Sequence, residues 1–174
     1  LGAIFLPLNS RLLVSEHHWI LQDAEPKLVI AHESFLAHAQ EAAAGIPVHP
    51  LAEVTQAEPI DSTPRIGKLS DSVLLAYTSG TTGTPKGAVL SQSALAANAV
   101  NGAHAHDLTS KDRFLTFLPL FHVGGLNIQT LPALMGGASV LLHELFDPGQ
   151  WLADVERWRP TWSLFVPATL NAVS

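Results

Sequence analysis

The chain has 174 residues, of which 47% are hydrophobic and 14% charged, and its formal net charge is −6. Its length suits one domain with a real core, and its composition argues against intrinsic disorder. The scattered Lys and Arg residues argue against a nucleic-acid partner, and the absence of cysteine excludes disulfides and thiolate metal sites.

The apolar runs of the sequence are far shorter than the ~20 residues that a membrane-spanning helix needs. We therefore expect a soluble protein, and the lack of cysteine fits the reducing environment of the cytoplasm. The charged fraction is too small to cover a whole domain surface, and the chain starts at Leu1 and stops at Ser174 within a helix-like segment. These features predict that the chain is an inner fragment of a longer protein.

The first part of the chain is predicted to alternate strands and helices. Apolar runs bounded by turn residues predict strands over residues 2–6 and 27–31. Helical periodicity predicts helices over residues 15–23 and 33–44. Residues 48–69 have weak periodicity and contain several Pro, Glu and Ser residues, so we expect a surface connection between two halves of one domain.

The predicted helix over residues 15–23 carries specific expectations for its side chains. Ser15 is placed at its N-cap, where a hydroxyl can accept a bond from a free backbone N–H. Trp19 is expected to face the core, and the imidazoles of His17 and His18 are expected to face water.

The second part of the chain continues the alternation. Strands are predicted over residues 73–77, 88–90, 114–118, 138–142 and 162–166. A helix with a serine at its N-cap is predicted from Ser91 or Ser93 to about Asn101, and further helices are predicted over residues 123–135 and 147–157. Because strands and helices alternate, we expect an α/β fold in which mostly parallel sheets are layered with helices.

The most informative segment is the loop over residues 78–87, Thr-Ser-Gly-Thr-Thr-Gly-Thr-Pro-Lys-Gly. Its glycines let backbone N–H groups approach an anion closely, its hydroxyls are small donors, and Lys86 adds a mobile positive charge. It is not a Walker A loop, because Lys86 precedes Gly87 and a strand follows. A glycine-rich hairpin is the alternative interpretation, but a hairpin has no need of the hydroxyls and the lysine.

This loop, with Tyr77 before it and residues 88–91 after it, resembles the phosphate-binding signature of the adenylate-forming superfamily. That superfamily includes acyl-CoA synthetases, firefly luciferases and the adenylation domains of peptide synthetases. Residues 2–9, 23–27 and 118–125 are similar to further segments of the same superfamily, so the resemblance covers nearly the whole chain. It implies that the chain is part of the large N-terminal domain of such an enzyme.

The resemblance implies a two-step ligase. A carboxylate attacks the α-phosphorus of ATP, pyrophosphate leaves, and a thiol such as coenzyme A captures the acyl-adenylate. The implied phosphate cradle comprises Thr78, Ser79, Gly80, Thr81, Thr82 and Gly83. Lys86 is the implied charge partner of the phosphates, and Thr82 is also implied to help place Mg²⁺.

His122 is the second candidate site residue. Taken alone, a histidine after a Leu-Pro-Leu-Phe strand end is more often a structural group with its hydrogen bonds satisfied. The resemblance instead implies a place at the entrance of the acyl pocket, where amino-acid activators carry an aspartate. We therefore expect a fatty or otherwise apolar acid, with an aryl or succinylbenzoate-type acid as the alternative.

Other motifs are weaker. His104 and His106 are close enough in sequence to share a metal ion, but no further ligands follow at a suitable spacing. Trp151, Trp158 and Trp162 are interpreted as core-packing residues.

Several parts that the resemblance implies are not found in these 174 residues. They are a glutamate that holds Mg²⁺, an aspartate that binds the ribose, and a mobile C-terminal domain with a catalytic lysine. We therefore expect this stretch alone to be inactive. The rival hypotheses are a truncated nucleotide-binding protein without catalysis and the adenylation domain of a peptide synthetase.

Overall fold

The structure is a computed structural model that describes residues 2–56, 67–78 and 84–173. The described residues fall into two compact units. The first unit takes Gly2 and the described parts of Leu8–Gly67 and Tyr77–Ala88. The second takes Ala3–Pro7, Lys68–Ala76 and the described part of Val89–Ser174.

The first unit packs helices against a short parallel sheet. Its elements are α1 (Val14–Ala24), β1 (Val29–Ala31), α2 (Leu36–Ala43), β2 (Val48–Pro50) and α3 (Leu51–Gln56), with a 3₁₀ turn at Glu33–Phe35. Strands β1 and β2 are parallel, with Val29 opposite Val48. Leu21, Val29, Ala42 and Ala43 form the buried core.

The predicted surface connection over residues 48–69 was wrong in its first part. Residues Val48–Pro50 form β2, which pairs with β1, and α3 follows directly. The strand escaped prediction because three residues carry too little periodicity to be seen without their partner. Residues 57–66 lie outside the described residues.

Helix α1 was predicted correctly in position but not in its details. It begins at Val14, and the Glu16 carboxylate, not Ser15, accepts the bond from the Leu13 N–H at 2.7 Å. His17 is only 6% exposed, whereas Trp19 is 36% exposed. The expected burial of these two side chains was therefore inverted.

A pair of imidazoles explains how His17 is tolerated in the interior. Its Nδ1 lies 2.7 Å from Nε2 of His38, and its Nε2 lies 3.0 Å from the carbonyl oxygen of Asn9. A carbonyl oxygen can only accept, so the neutral His17 donates from Nε2 and accepts at Nδ1. His38 must then donate to His17. Both nitrogens of the buried ring are thus satisfied while His17 is neutral.

This arrangement predicts that acid weakens the first unit. Burial, and secondly the charge of a protonated His38, lower the pKa of His17 from its ordinary value of 6.5, although the Asn9 carbonyl and Glu16 oppose this. Because the folded state resists protonation, its stability is complete above pH 6.5 and falls as the pH decreases below that value. The unfolding free energy should fall by at most ~1.4 kcal/mol per pH unit for one proton.

Denaturant unfolding of the wild type and of His17→Gln between pH 8 and pH 5 checks this prediction. The variant should show a shallower loss of stability with acid, whatever its stability at pH 8. The exposed His49 is the matched control, because His49→Gln removes an imidazole outside the interior. Identical pH slopes for wild type and His17→Gln would contradict the prediction.

The second unit also contains parallel strand pairing. It holds α4 (Gln92–Ala105), β5 (Arg113–Thr116), a π-helix (Gly124–Thr130), α5 (Leu131–Met135), β6 (Ser139–Leu142), α6 (Pro148–Trp158) and α7 (Pro167–Leu170). Strands β5 and β6 are parallel, with Phe114 opposite Val140. Phe114, Ala133 and Ala138 form the core, and Trp162 packs against it.

Two predicted strands are reduced to single bridges in this unit. Phe5 bridges Leu74 and Trp162 bridges Phe114, both in the parallel direction. Strands β3 (Ser72–Thr78) and β4 (Lys86–Ser91) form a further two-stranded sheet. The expected α/β fold with parallel sheets and helices is confirmed. The described residues contain no helix that is both long and apolar enough to cross a membrane.

Candidate functional site

The ends of the glycine- and threonine-rich loop lie side by side in the first unit. Strand β3 ends at Thr78 and β4 begins at Lys86. The Thr78 hydroxyl donates to the carbonyl oxygen of Lys86 across a long 3.4 Å contact. Lys86, expected within the loop, is therefore the first residue of a strand, and the structure brings these two predicted site residues together.

The predicted cradle residues Ser79, Gly80, Thr81, Thr82 and Gly83 lie outside the described residues. The loop ends nevertheless show which donors are available. Thr78 and Lys86 are both exposed, and no carboxylate of the described residues forms an ion pair with Lys86. Within the described part of the chain, the lysine ammonium is thus not committed to a carboxylate.

Tyr77, which lies one residue before the end of β3, makes two contacts that the sequence did not reveal. Its hydroxyl donates to Oδ2 of Asp23 at 2.5 Å, and its ring stands edge-on to Trp19 with centroids 6.2 Å apart. Burial, followed by the hydrogen bond to Asp23 and the charge of that carboxylate, raises the pKa of Tyr77 to about 12. The phenol therefore stays protonated and remains a donor at neutral pH.

His122 lies in the second unit, in a turn that leads into the π-helix. Its backbone N–H donates to the carbonyl oxygen of Pro119 at 3.1 Å, and its own carbonyl accepts from Leu126 at 3.0 Å. The side chain is exposed, lies against the ring of Phe121, and receives no hydrogen bond from the described residues. The interpretation of His122 as a satisfied structural group therefore has no support in these contacts.

The helix predicted over residues 123–135 starts with an unexpected π-helix. Gly124–Thr130 is π-helical, and α5 continues from Leu131. The Thr130 hydroxyl donates to the carbonyl oxygen of Gly125 at 2.6 Å, and Gln129 donates through Nε2 to that of Leu115 at 3.1 Å. Short π-helical segments often occur at functional sites. Apolar periodicity alone could not have distinguished this segment from an α-helix.

Among the described residues, nothing further supports the hypothesis that His104 and His106 bind a metal ion. The ring of His106 packs edge-on against Trp162, with centroids 4.6 Å apart. Within the described parts of the chain, no group of three or more His, Asp or Glu side chains is placed to hold a metal ion.

The fold and this loop define a class of layered α/β proteins in which a glycine- and hydroxyl-rich loop links two paired strands. The chain belongs to the AMP-binding enzyme family, whose pattern it matches over residues 1–173. The resemblance to the adenylate-forming superfamily is therefore confirmed, as is its implication that the chain corresponds to part of the N-terminal domain.

Relatives and solved structures agree with this assignment. Over 98% of its length the chain is 42% identical to indoleacetate–CoA ligase of Aromatoleum aromaticum, and over 99% it is 39% identical to feruloyl-CoA synthase of an Amycolatopsis species. The chain spans 36% and 35% of the lengths of these two relatives. It also superposes on o-succinylbenzoate CoA synthetase from Bacillus subtilis in complex with an acyl-adenylate intermediate, with a TM-score of 0.89 and 28% identity, over 99% of this chain and 45% of that one.

Proposed function

We propose that the protein, in its full encoded length, is an acid–thiol ligase that activates a carboxylic acid with ATP and transfers the acyl group to coenzyme A. The observation that carries this proposal is the loop between β3 and β4, whose ends lie together at Thr78 and Lys86. Family membership and the names of the relatives support the same reaction class.

The loop's proposed task is to hold the β- and γ-phosphates of ATP. The cradle comprises Thr78, Ser79, Gly80, Thr81, Thr82 and Gly83. Their N–H groups and hydroxyls donate to phosphate oxygens, and the Lys86 ammonium offsets the charge that builds on the departing pyrophosphate. The exposed, uncommitted Lys86 and the weakly bonded Thr78 hydroxyl fit this task.

Mg²⁺ is the metal ion that this reaction class implies. When bound, it neutralises negative charge on the phosphates. Hydroxyl oxygens are hard donors that suit Mg²⁺, and we assign Thr82 as the residue of this chain that helps to hold it.

For the acid, we propose an apolar aromatic carboxylate, with a fatty acid as the alternative. The two relatives above are named for indoleacetate and ferulate, which both carry an aromatic ring. At the turn where amino-acid activators are expected to carry an aspartate, this chain has the exposed His122. Without that anion, a substrate ammonium group would lack its partner, so an amino acid is disfavoured.

Acid-dependent exchange of pyrophosphate into ATP tests this function, followed by thioester formation with coenzyme A. The acid panel contains indoleacetate, ferulate, 2-succinylbenzoate and palmitate, with phenylalanine as the amino-acid control. We expect exchange with an aromatic acid and none with phenylalanine. ATP binding without exchange for any acid would contradict catalysis and support a nucleotide-binding protein that performs no chemistry.

Replacing His122 should affect the acid and not the nucleotide. Removing a ring that lines the acyl entrance is expected to lower kcat/KM for the preferred acid about tenfold. The KM for ATP should stay unchanged, because His122 is not among the phosphate-binding residues. Steady-state kinetics of His122→Ala check this, with the exposed His104→Ala as the matched control. Equal losses for the two variants, or a changed KM for ATP, would contradict the assignment.

A further inference from the structure

Tyr77 occupies a position from which it can control the loop. It is the penultimate residue of β3, and Thr78, the first residue of the proposed cradle, follows it directly. Anything that fixes the Tyr77 side chain therefore fixes the direction in which the chain leaves the strand. Preorganised donors need such support, because small displacements of a binding group cost affinity.

Helix α1 holds this side chain at two points. Asp23, in the last turn of the helix, accepts the bond from the Tyr77 hydroxyl at 2.5 Å. Trp19, one helical turn earlier, packs edge-on against the tyrosine ring at 90°. Residues four apart lie on the same face of a helix, so one face supplies both contacts.

The helix that provides these contacts is itself anchored inside the first unit. Leu21 belongs to the buried core with Ala42 and Ala43 of α2, and His17 bonds to His38 on that helix. The hydrogen bond between Tyr77 and Asp23 thus connects the strand before the proposed phosphate loop to a packed helix pair across 54 residues of sequence.

The negative charge of Asp23 makes it possible to distinguish a role in holding Tyr77 from a purely electrostatic effect on ATP binding. A carboxylate near an anion-binding loop repels phosphates, so on charge alone its removal would strengthen ATP binding. An aspartate that serves to hold Tyr77 should have the opposite effect, because its removal frees the start of the loop. Whether ATP binding becomes weaker or stronger when Asp23 is replaced therefore distinguishes the two roles.

We propose that Asp23 and Tyr77 are positioning residues, which hold the start of the phosphate loop in its binding geometry without touching the nucleotide. This inference rests on the proposed function of that loop. It assigns a role in ATP binding to one residue on α1 and one on β3, in addition to the residues of the loop motif.

Two conservative variants of the full-length enzyme test the proposal. Tyr77→Phe removes the hydroxyl and keeps the ring against Trp19, and Asp23→Asn removes the charge and keeps the shape. Each should raise the KM for ATP about fivefold to tenfold, as expected for the loss of one charge-assisted hydrogen bond. The KM for the acid should not change. The double variant should be no worse than the worse single variant, because both changes break the same contact.

Glu25→Gln is the matched control, because it removes a carboxylate just beyond the same helix end that has no side-chain partner among the described residues. It should leave the KM for ATP unchanged. A general loss of structure would instead lower the melting temperature and kcat without a selective change in that KM, and this would overturn the proposal. An unchanged or lower KM for ATP in Asp23→Asn would overturn it as well.

Assaying Lys86→Ala in parallel shows whether a negative result contradicts only the positioning role or also the proposed function of the loop. If Lys86→Ala weakens ATP binding and Tyr77→Phe does not, the positioning role fails and the phosphate loop stands. If neither variant alters ATP binding, the loop assignment itself fails and the positioning role fails with it.

Discussion

Lys86→Ala is expected to raise the KM for ATP about 10- to 100-fold in the full-length enzyme. A hydrogen bond between a charged donor and a phosphate contributes roughly 1.5–3 kcal/mol, and ~1.4 kcal/mol corresponds to a factor of ten. Lys86 begins β4 beside Thr78 and is exposed, and no carboxylate of the described residues neutralises it. Its charge is therefore available to the phosphates.

The expected loss should also depend on salt and on the replacement. Raising the ionic strength should narrow the difference between wild type and Lys86→Ala, because exposed charges are screened. Lys86→Arg should recover part of the affinity, since it keeps the charge on a differently shaped group. The control is Lys68→Ala, which removes an exposed lysine of the second unit. A loss in Lys68→Ala equal to that in Lys86→Ala would contradict a specific role for Lys86.

The parts of the fold that could be predicted are those decided by neighbouring residues. The helix over residues 91–101 was expected to carry a serine N-cap, and the Ser91 hydroxyl does accept from the Ala94 N–H at 3.2 Å. The helix predicted from Asp147 begins in the same way, with its carboxylate accepting from the Gln150 N–H at 2.7 Å. Such caps are local chemistry, so they can be recognised in one sequence.

The errors arose where a distant partner decides the outcome. His17 and Trp19 lie on one short helix, and hydropathy favours burial of the tryptophan. The interior instead accepts His17 because His38 and the Asn9 carbonyl satisfy both of its nitrogens. Likewise, the apolar runs around Phe5 and Trp162 make only single bridges, since strand pairing depends on partners that the local pattern does not specify.

The same difference between local and distant determinants applies to the candidate site. The loop can be recognised in the sequence because its glycines, hydroxyls and lysine lie within ten residues, and the structure places its two ends together. The contact between Tyr77 and Asp23 cannot be recognised in this way, because nothing in either local sequence indicates a partner 54 residues away. A local motif can therefore identify groups that are expected to touch the ligand, but not the groups that support them.

Gly125→Ala is expected to destabilise the second unit by roughly 2–4 kcal/mol, whereas Gly124→Ala should change its stability by less than about 1 kcal/mol. A Cβ on Gly125 would approach the carbonyl oxygen of Leu118 too closely, and it would lie 2.6 Å from that of Pro119. A Cβ on Gly124 would meet only Cδ1 of Leu118, at an ordinary 3.7 Å. The two glycines are adjacent in the same π-helix, so one serves as the control for the other.

The difference arises because the obstructing atoms of Gly125 belong to backbone. A flexible side chain can rotate away, but the carbonyl groups of Leu118 and Pro119 move only if the turn moves. That turn holds His122 through the bond from its N–H to the Pro119 carbonyl. Gly125→Ala should therefore also raise the KM for the acid, while the KM for ATP changes little.

Hydrogen exchange of the amides of β5, the π-helix and β6 measures the stability effect locally in the full-length protein. Reduced protection in Gly125→Ala, with near wild-type protection in Gly124→Ala, is the expected result. Equal protection in the two variants would show that the turn yields to the added methyl group, and the π-helix would then not be what fixes His122. If Gly125→Ala alone loses protection and also raises the KM for the acid, Gly125 is needed for the placement of His122, three residues before it.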